Sequence, residues 1–176
     1  MSALRLINET LITSAVSTVS VTDVFSSDFD IYKVTCQNFS NSTGAQNIDL
    51  KFINASGSVI TSSEYDWAYL RLNDYTTFTE ARNTNDTNWE NFWGKDDSAS
   101  GETQNVVAYF FNPYSSSSFT FGLVQSSNVL NSQFQGIKGI GVLTETSSVT
   151  GFQIAFNSYA SNNGKIRTYG LRVDNG

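Results

Sequence analysis

The side chains of this sequence that could do chemistry are almost all carboxylates, because the chain has no histidine and a single cysteine, Cys36. Proton shuttles at neutral pH, Ser/His and Cys/His nucleophile pairs and most transition-metal sites need an imidazole or a cluster of thiolates. The sequence therefore excludes most enzyme classes. We predict a non-enzymatic protein with no catalytic residue, no cofactor and no metal site.

One enzyme class stays open, because a glycosidase needs only two carboxyl groups a few ångströms apart. Nothing in the sequence selects two partners from the acidic residues, so this alternative is the weaker one. The glutamates that could form such a pair are Glu64, Glu80, Glu90, Glu102 and Glu145.

Aromatic side chains are the second group with a chemical use, because they supply much of the energy of protein interfaces and stack on sugar rings. Most of them fall on the alternating, core-facing positions of predicted strands. The remaining six are candidates for contact with a partner or a glycan, and these are Tyr75, Phe78, Trp89, Phe92, Trp93 and Tyr114. The alternative is that the segment around Trp89 and Trp93 folds over an open end of the domain and caps its core.

The elements that must position these residues are short strands, because apolar residues recur with a period of two almost everywhere. Turn signals separate the strands, and no long stretch has a helical period. We predict a single all-β domain, 1–176, folded as an antiparallel, jelly-roll-like β-sandwich of about ten short strands. The predicted strands are 4–12, 16–25, 31–39, 47–54, 65–72, 105–112, 119–125, 137–144, 150–157 and 164–174.

Three details of this pattern can be tested. Cys36 lies on the apolar face of its strand and is predicted to be a small core residue. The segments 105–112 and 119–125 are predicted to form a hairpin, and both faces of 65–72 are predicted to be covered. The polar stretch at about 73–104, which contains Trp89 and Trp93, is predicted to be a long irregular loop.

Charge and composition restrict the partners. The chain has a net charge of -6 and only 10 Lys and Arg residues, which are scattered. Phosphate binding needs clustered cations, so we predict no nucleic-acid partner. No apolar run approaches the length of a membrane span, and the start of the chain lacks a secretory pattern, so we predict no membrane association and synthesis in a reducing cytosol.

The two ends of the chain resemble a known group of proteins. The opening residues Leu6-Ile7-Asn8-Glu9-Thr10, the strand Asp30-Ile31-Tyr32-Lys33-Val34 and the closing residues Ile166-Arg167-Thr168-Tyr169-Gly170-Leu171 are similar to short motifs of small β-sandwich virion proteins of tailed bacteriophages. The similarity is weak in the middle of the chain.

This resemblance implies a structural subunit of a virion, assembled in the cytoplasm of the host bacterium. The expected role is a capsid decoration, or cement, protein that binds the major capsid protein and copies of itself. A tail or fibre component is the alternative. The segment from Met1 to Ile12 is expected to be an ordinary first strand, or else an arm that pairs with a neighbouring subunit.

A carbohydrate-binding module for host recognition is a further alternative, with surface glycans as the partner. Such modules often carry Ca²⁺ held by oxygen ligands. Four acidic residues lie beside the two tryptophans of the predicted loop, although no dense ligand motif is present, and these are Asp86, Glu90, Asp96 and Asp97.

Overall fold

The structure is a computed structural model that describes residues 3–98 and 101–172. Within these ranges the chain forms twelve strands and no helix, so it contains no helix able to cross a membrane. The strands are β1 (Ala3–Ile12), β2 (Thr18–Val21), β3 (Ile31–Asn41), β4 (Gln46–Asn54), β5 (Tyr65–Asn73), β6 (Thr79–Asp86), β7 (Trp89–Asp96), β8 (Gln104–Phe111), β9 (Thr120–Leu130), β10 (Gln133–Leu143), β11 (Val149–Phe156) and β12 (Ser161–Arg172).

The strands form two antiparallel sheets. The larger sheet has eight strands in the order β1-β12-β3-β8-β9-β10-β5-β6, and the smaller has four in the order β2-β11-β4-β7. The predicted fold class, an antiparallel, jelly-roll-like β-sandwich, is confirmed, with twelve strands instead of about ten. The predicted hairpin is also confirmed, because β8 pairs with β9 and sets Tyr109 opposite Leu123. The last two residues of the predicted final strand lie outside the described residues.

Alternation along β3 shows why these sequences form a two-layer fold. Tyr32, Val34 and Cys36 are completely buried between the sheets, and the residues between them lie on the outer face. This burial confirms Cys36 as a core residue. Loss of solvation raises the pKa of the Cys36 thiol well above its usual value, so the thiol stays protonated.

The predicted irregular loop at about 73–104 is wrong over most of its length, because it contains β6 and β7. The first of these strands is the outer edge of the larger sheet, and the second is an edge of the smaller sheet. The polar turn residues Thr87 and Asn88 carry the chain from one sheet to the other. The prediction failed because neither strand has a regular apolar alternation.

In β7 the alternation is broken by a bulge. Ile48 of β4 pairs with Gly94 and Leu50 pairs with Trp89, so four residues of β7 lie opposite the single residue Asp49. Within the bulge Asn91 has a φ of 53° and Gly94 a φ of 89°, values in the left-handed region that break the pleat. The neighbouring residues Phe92 and Trp93, which strict alternation would direct to opposite faces, are therefore both buried in the core.

Asp49 stabilises this bulge. Its carboxylate accepts hydrogen bonds from the Asn91 amide N–H at 2.6 Å, from Asn88 Nδ2 at 2.8 Å and from Asn157 Nδ2 at 2.6 Å. Burial raises the pKa of the Asp49 carboxyl, and the hydrogen bonds from Asn157 and Asn91 oppose that rise. A backbone donor that the bulge removes from the sheet ladder thus finds an acceptor on the neighbouring strand.

The larger sheet accommodates the indole of Trp89 through two glycines. Gly122 of β9 and Gly141 of β10 lie opposite each other in the ladder. A Cβ atom on Gly141 would lie 2.5 Å from Trp89 Cε2, and one on Gly122 would lie 2.7 Å from Trp89 Cζ3. The indole N–H donates to the Val142 carbonyl oxygen at 3.2 Å, which fixes the ring in this recess.

Candidate functional site

Three of the six predicted contact residues are core residues. Trp89 and Trp93 are fully buried and Phe92 is nearly so, and their rings pack together, with centroids 4.7 Å apart for Trp89 and Phe92 and 5.8 Å apart for Phe92 and Trp93. The prediction that these three contact a partner or a glycan is therefore wrong. The alternative assigned the tryptophans to the core, but they enter it from a strand of the sandwich and not from a capping loop.

The other three predicted residues are exposed but do not form one site. Tyr75 and Phe78 lie in the turn between β5 and β6, and Tyr114 lies in the turn after β8. Phe111, at the end of β8, is opposite Phe121 of β9, and Phe121 is opposite Val142 of β10. Val142 is in turn opposite Asp66, near the start of β5, so the end of β8 is level with the start of β5. The two turns are thus at opposite ends of the sheet.

The candidate site is instead the outer face of the larger sheet. A row of side chains crosses six strands there, and neighbours in the row are paired in the ladders: Lys33, Tyr109, Leu123, Ile140, Ala68 and Arg82. The middle of the row is apolar and open to solvent, with Leu123 46% and Ile140 57% exposed. An antiparallel sheet normally places polar residues on the face that does not pack on the core.

This face is concave and forms a groove with a volume of about 930 Å³. Leu70 and Val107 extend its apolar floor on both sides of Leu123 and Ile140. A second recess of about 500 Å³ continues the groove toward Phe121 and is lined mainly by carbon atoms. Together these recesses make a continuous apolar surface over the middle strands of the sheet.

The charges of the groove differ in sign from the charge of the whole chain. Lys33, Lys138 and Arg82 line it, and Glu80 is the one acidic side chain among the described residues of its lining. The chain as a whole has a net charge of -6. The groove is therefore a locally cationic and apolar surface on an acidic protein.

The titratable side chains of the groove are two lysines, an arginine, one glutamate and two tyrosines, and the glutamate and the arginine share strand β6. A wide, apolar surface of this kind is suited to binding, because it can exclude water over an area.

Two of the four acidic residues beside the tryptophans, Asp96 and Asp97, accept hydrogen bonds from different partners. Asp96 accepts from Asn41 Nδ2 at 3.1 Å and from Gln46 Nε2 at 3.3 Å, and Asp97 accepts from the Asn131 amide N–H at 3.2 Å. Burial raises the pKa of the Asp96 carboxyl to about 6. Within 3–98 and 101–172 no three acidic or sulfur-bearing side chains lie close enough to hold a metal ion.

Sequence reasoning missed the groove because it treated large apolar residues as core residues. In β9 the large side chains of Phe121 and Leu123 face outward, and the smaller Thr120, Gly122 and Val124 face the core. The prediction that both faces of 65–72 are covered is wrong for the same reason. Leu70, on the outer face, is 40% exposed. The available signal was the pair of glycines, which indicates a face that a bulky side chain approaches closely.

Comparisons with known proteins leave the family of the chain open. No family model and no curated protein matches it. Among solved structures, the Caenorhabditis elegans galectin LEC-6 is 8% identical with a TM-score of 0.28, over 94% of this chain and 96% of the galectin. A human SPRY domain is 8% identical with a TM-score of 0.27, over 96% of this chain and 99% of that domain. At these TM-scores the similarities carry no conclusion about function.

Proposed function

We propose that this protein is a non-enzymatic structural subunit that binds another protein through the outer groove of its eight-stranded sheet. The particular role proposed is a virion structural protein of a tailed bacteriophage, a capsid decoration protein on the outer capsid surface. A tail or fibre component is the alternative within the same class.

The observation that carries the binding role is the exposed apolar floor of the groove. Leu70, Val107, Leu123 and Ile140 are aliphatic, and an aliphatic floor gains from contact with apolar side chains of a protein. A protein surface with acidic residues around an apolar centre would complement the floor together with Lys33 and the other cations. The largest exposed apolar patch of a protein is often a functional surface.

The virion role rests on the resemblance of the chain ends to phage β-sandwich proteins. The physical features that support it are general ones: no reactive imidazole, a rigid two-layer domain and a broad, pre-formed binding face. A subunit that occupies a lattice in many copies needs complementary surfaces more than a catalytic pocket.

The test is binding of the purified protein to capsids that lack it. We expect the wild-type chain to add to such capsids and the double variant Leu123→Asp/Ile140→Asp to bind at least about tenfold more weakly, because the carboxylates would be buried in an apolar contact. Leu11→Asp is the control for an added carboxylate outside the groove, since Leu11 is 54% exposed on the same sheet but does not line the groove.

The outcomes separate the parts of the proposal. Recovery of the protein only with tails would favour the tail or fibre component over the decoration role. Equal binding by the wild type, the groove variant and the Leu11 variant would show that the groove is not the contact surface. Failure to bind any part of the particle would reject the virion role.

A glycan is the second candidate partner, because several amide and hydroxyl side chains lie at one end of the groove. The recess next to Val107 is lined by amides and hydroxyls, which suit sugar hydroxyls, and these belong to Gln37, Asn105, Gln125, Ser126 and Ser127. Tyr109 would supply the stacking face. Glycan-array binding that Tyr109→Ala abolishes would favour this candidate. A blank array with intact capsid binding would exclude it.

A further inference from the structure

The strand β6 is an open edge of the larger sheet. Within residues 3–98 and 101–172, β5 is the only strand that pairs with it. Most of its side chains are exposed, and only Ala81 and Asp86 are partly covered. An edge of eight residues with one free side has unpaired N–H and C=O groups that another strand can satisfy.

Both edge strands of the larger sheet have a register shift, which lies in the middle of β1 but near the end of β6, between Asn83 and Asp86. The ladder between β1 and β12 has a register shift at Ile7, in the middle of the strand. Its acidic residue Glu9 is already paired with Arg167, at 2.6 Å between Oε2 and Nε. A bulge and an occupied charge both hinder the addition of a further strand. The ladder between β5 and β6 is regular from Thr79 to Asn83.

Charge selects both the partner of β6 and its register. Consider two copies of β6 that pair in antiparallel fashion around a two-fold axis normal to the sheet. Residues opposite each other then point to the same face of the sheet, and side chains alternate between the two faces along each strand. The residue at the axis must therefore lie opposite its own copy. With Ala81 at the axis, Glu80 of each copy lies opposite Arg82 of the other. With Glu80 or Arg82 at the axis, that charge faces itself. The register centred on Ala81 therefore forms two unlike-charge pairs, and its two neighbouring registers each oppose like charges.

We propose that two copies of this chain associate through β6, with Ala81 opposite Ala81, to form one continuous sheet across the dimer. The two-fold axis normal to the sheet keeps both grooves on the same face. Glu80, Ala81 and Arg82 line the groove of their own copy, so the partner strand would extend the wall of each groove. Such a dimer would give the proposed structural subunit a surface through which its copies associate. The observations that support the dimer are the free edge and the charges of β6, and they do not depend on the capsid role.

The first test measures the mass of the full chain by sedimentation. We expect the wild type to dimerise and Glu80→Arg to raise the dimer dissociation constant at least about tenfold, because it places arginines opposite each other at both pairs. The charge-swapped variant Glu80→Arg/Arg82→Glu restores the unlike pairs and should return the constant to within about threefold of the wild type. Asp28→Arg is the control, because it makes the same charge change on an exposed loop.

The second test reads the register directly. We expect Ala81→Cys to form a covalent dimer on mild oxidation, because the two Cβ atoms would face each other across the axis. Asn83→Cys is the matched control, because Asn83 would lie opposite Thr79, so its two copies would be too far apart to bridge. The native Cys36 is buried and does not compete.

Several results would overturn the inference. A wild-type chain that stays monomeric up to about 1 mM would reject it, because the charges on β6 would then prevent two copies of this edge strand from pairing. A Glu80→Arg dimer as stable as the wild type, or equal cross-linking of the two cysteine variants, would reject the register. Dimerisation is measured without capsids, so it can fail while groove-dependent capsid binding succeeds, and the reverse also holds.

Discussion

The two faces of the eight-stranded sheet differ on its neighbouring strands β9 and β10. There, small residues face the core and large aliphatic residues face solvent. On the inner face of β9 and β10, Gly122 and Gly141 form a recess for Trp89, which comes from the other sheet. On the outer face of the same two strands, Leu123 and Ile140 are about half exposed. Next to these two glycines the volume of the core is thus supplied by Trp89 of β7, and the neighbouring aliphatic residues of β9 and β10 lie outside.

This difference shows that alternating apolar residues identify one face of a strand, but they do not show whether that face packs against the other sheet. Close packing requires that a bulky residue on one layer meet small residues on the other.

Truncation of the core aromatic should have the largest effect. Trp89→Ala is expected to lower the free energy of unfolding by about 3–5 kcal/mol, because it leaves a cavity against Phe52, Phe92 and the glycine recess. Denaturant unfolding followed by circular dichroism measures the change. Phe121→Ala on the outer face is the matched aromatic control and should cost much less. Equal losses for both variants would contradict the contrast between the faces.

The pH dependence of stability should reveal the buried carboxyl of Asp96. Its folded pKa of about 6 lies above the ordinary value of 3.8, so the folded state binds the proton more tightly than the unfolded chain. As the pH rises from about 4 to 6, the unfolded chain ionises first and the free energy of unfolding falls, by at most about 3 kcal/mol. Urea unfolding at several pH values should show a shallower fall for Asp96→Asn. Parallel curves for the two proteins would exclude this role of Asp96.

Filling the glycine recess should have an intermediate effect. Gly141→Ala is expected to cost about 1–3 kcal/mol, because its Cβ would overlap the Trp89 ring. In the double variant Trp89→Phe/Gly141→Ala the smaller ring leaves room, so the two losses should be non-additive by about 1 kcal/mol. Strict additivity in denaturant unfolding would mean that the glycine and the indole do not compete for space.

Removal of an outer aliphatic residue should change stability least. Leu123→Ser is expected to lower the free energy of unfolding by less than about 1 kcal/mol, because about half of the side chain is already in water. The same denaturant measurement applies. A loss as large as that of a core residue would show that the groove is filled in solution by part of the protein, and it would remove the groove as a binding face.

Much of the fold was predictable from local patterns. The strands of the sandwich with a regular period of two, such as β3, were predicted with the correct inward face, and Cys36 was correctly placed in the core. The candidate site was not predictable, because it depends on which face of β9 and β10 the other sheet covers. The bulge in β7 was hidden as well, since its inward side chains require the left-handed backbone at Asn91 and an acceptor on Asp49, a residue distant in sequence.

Strand periodicity and the lack of histidine are properties of the chain, so the class of the fold and the inventory of reactive side chains follow from the sequence. The packing of the two sheets is what makes Trp89 and Trp93 core residues and leaves Leu123 and Ile140 on the surface. The physical reason is that alternation assigns residues to two faces, but burial of a face depends on what packs against it. The same reason left the open edge at β6 invisible until the order of the strands was known.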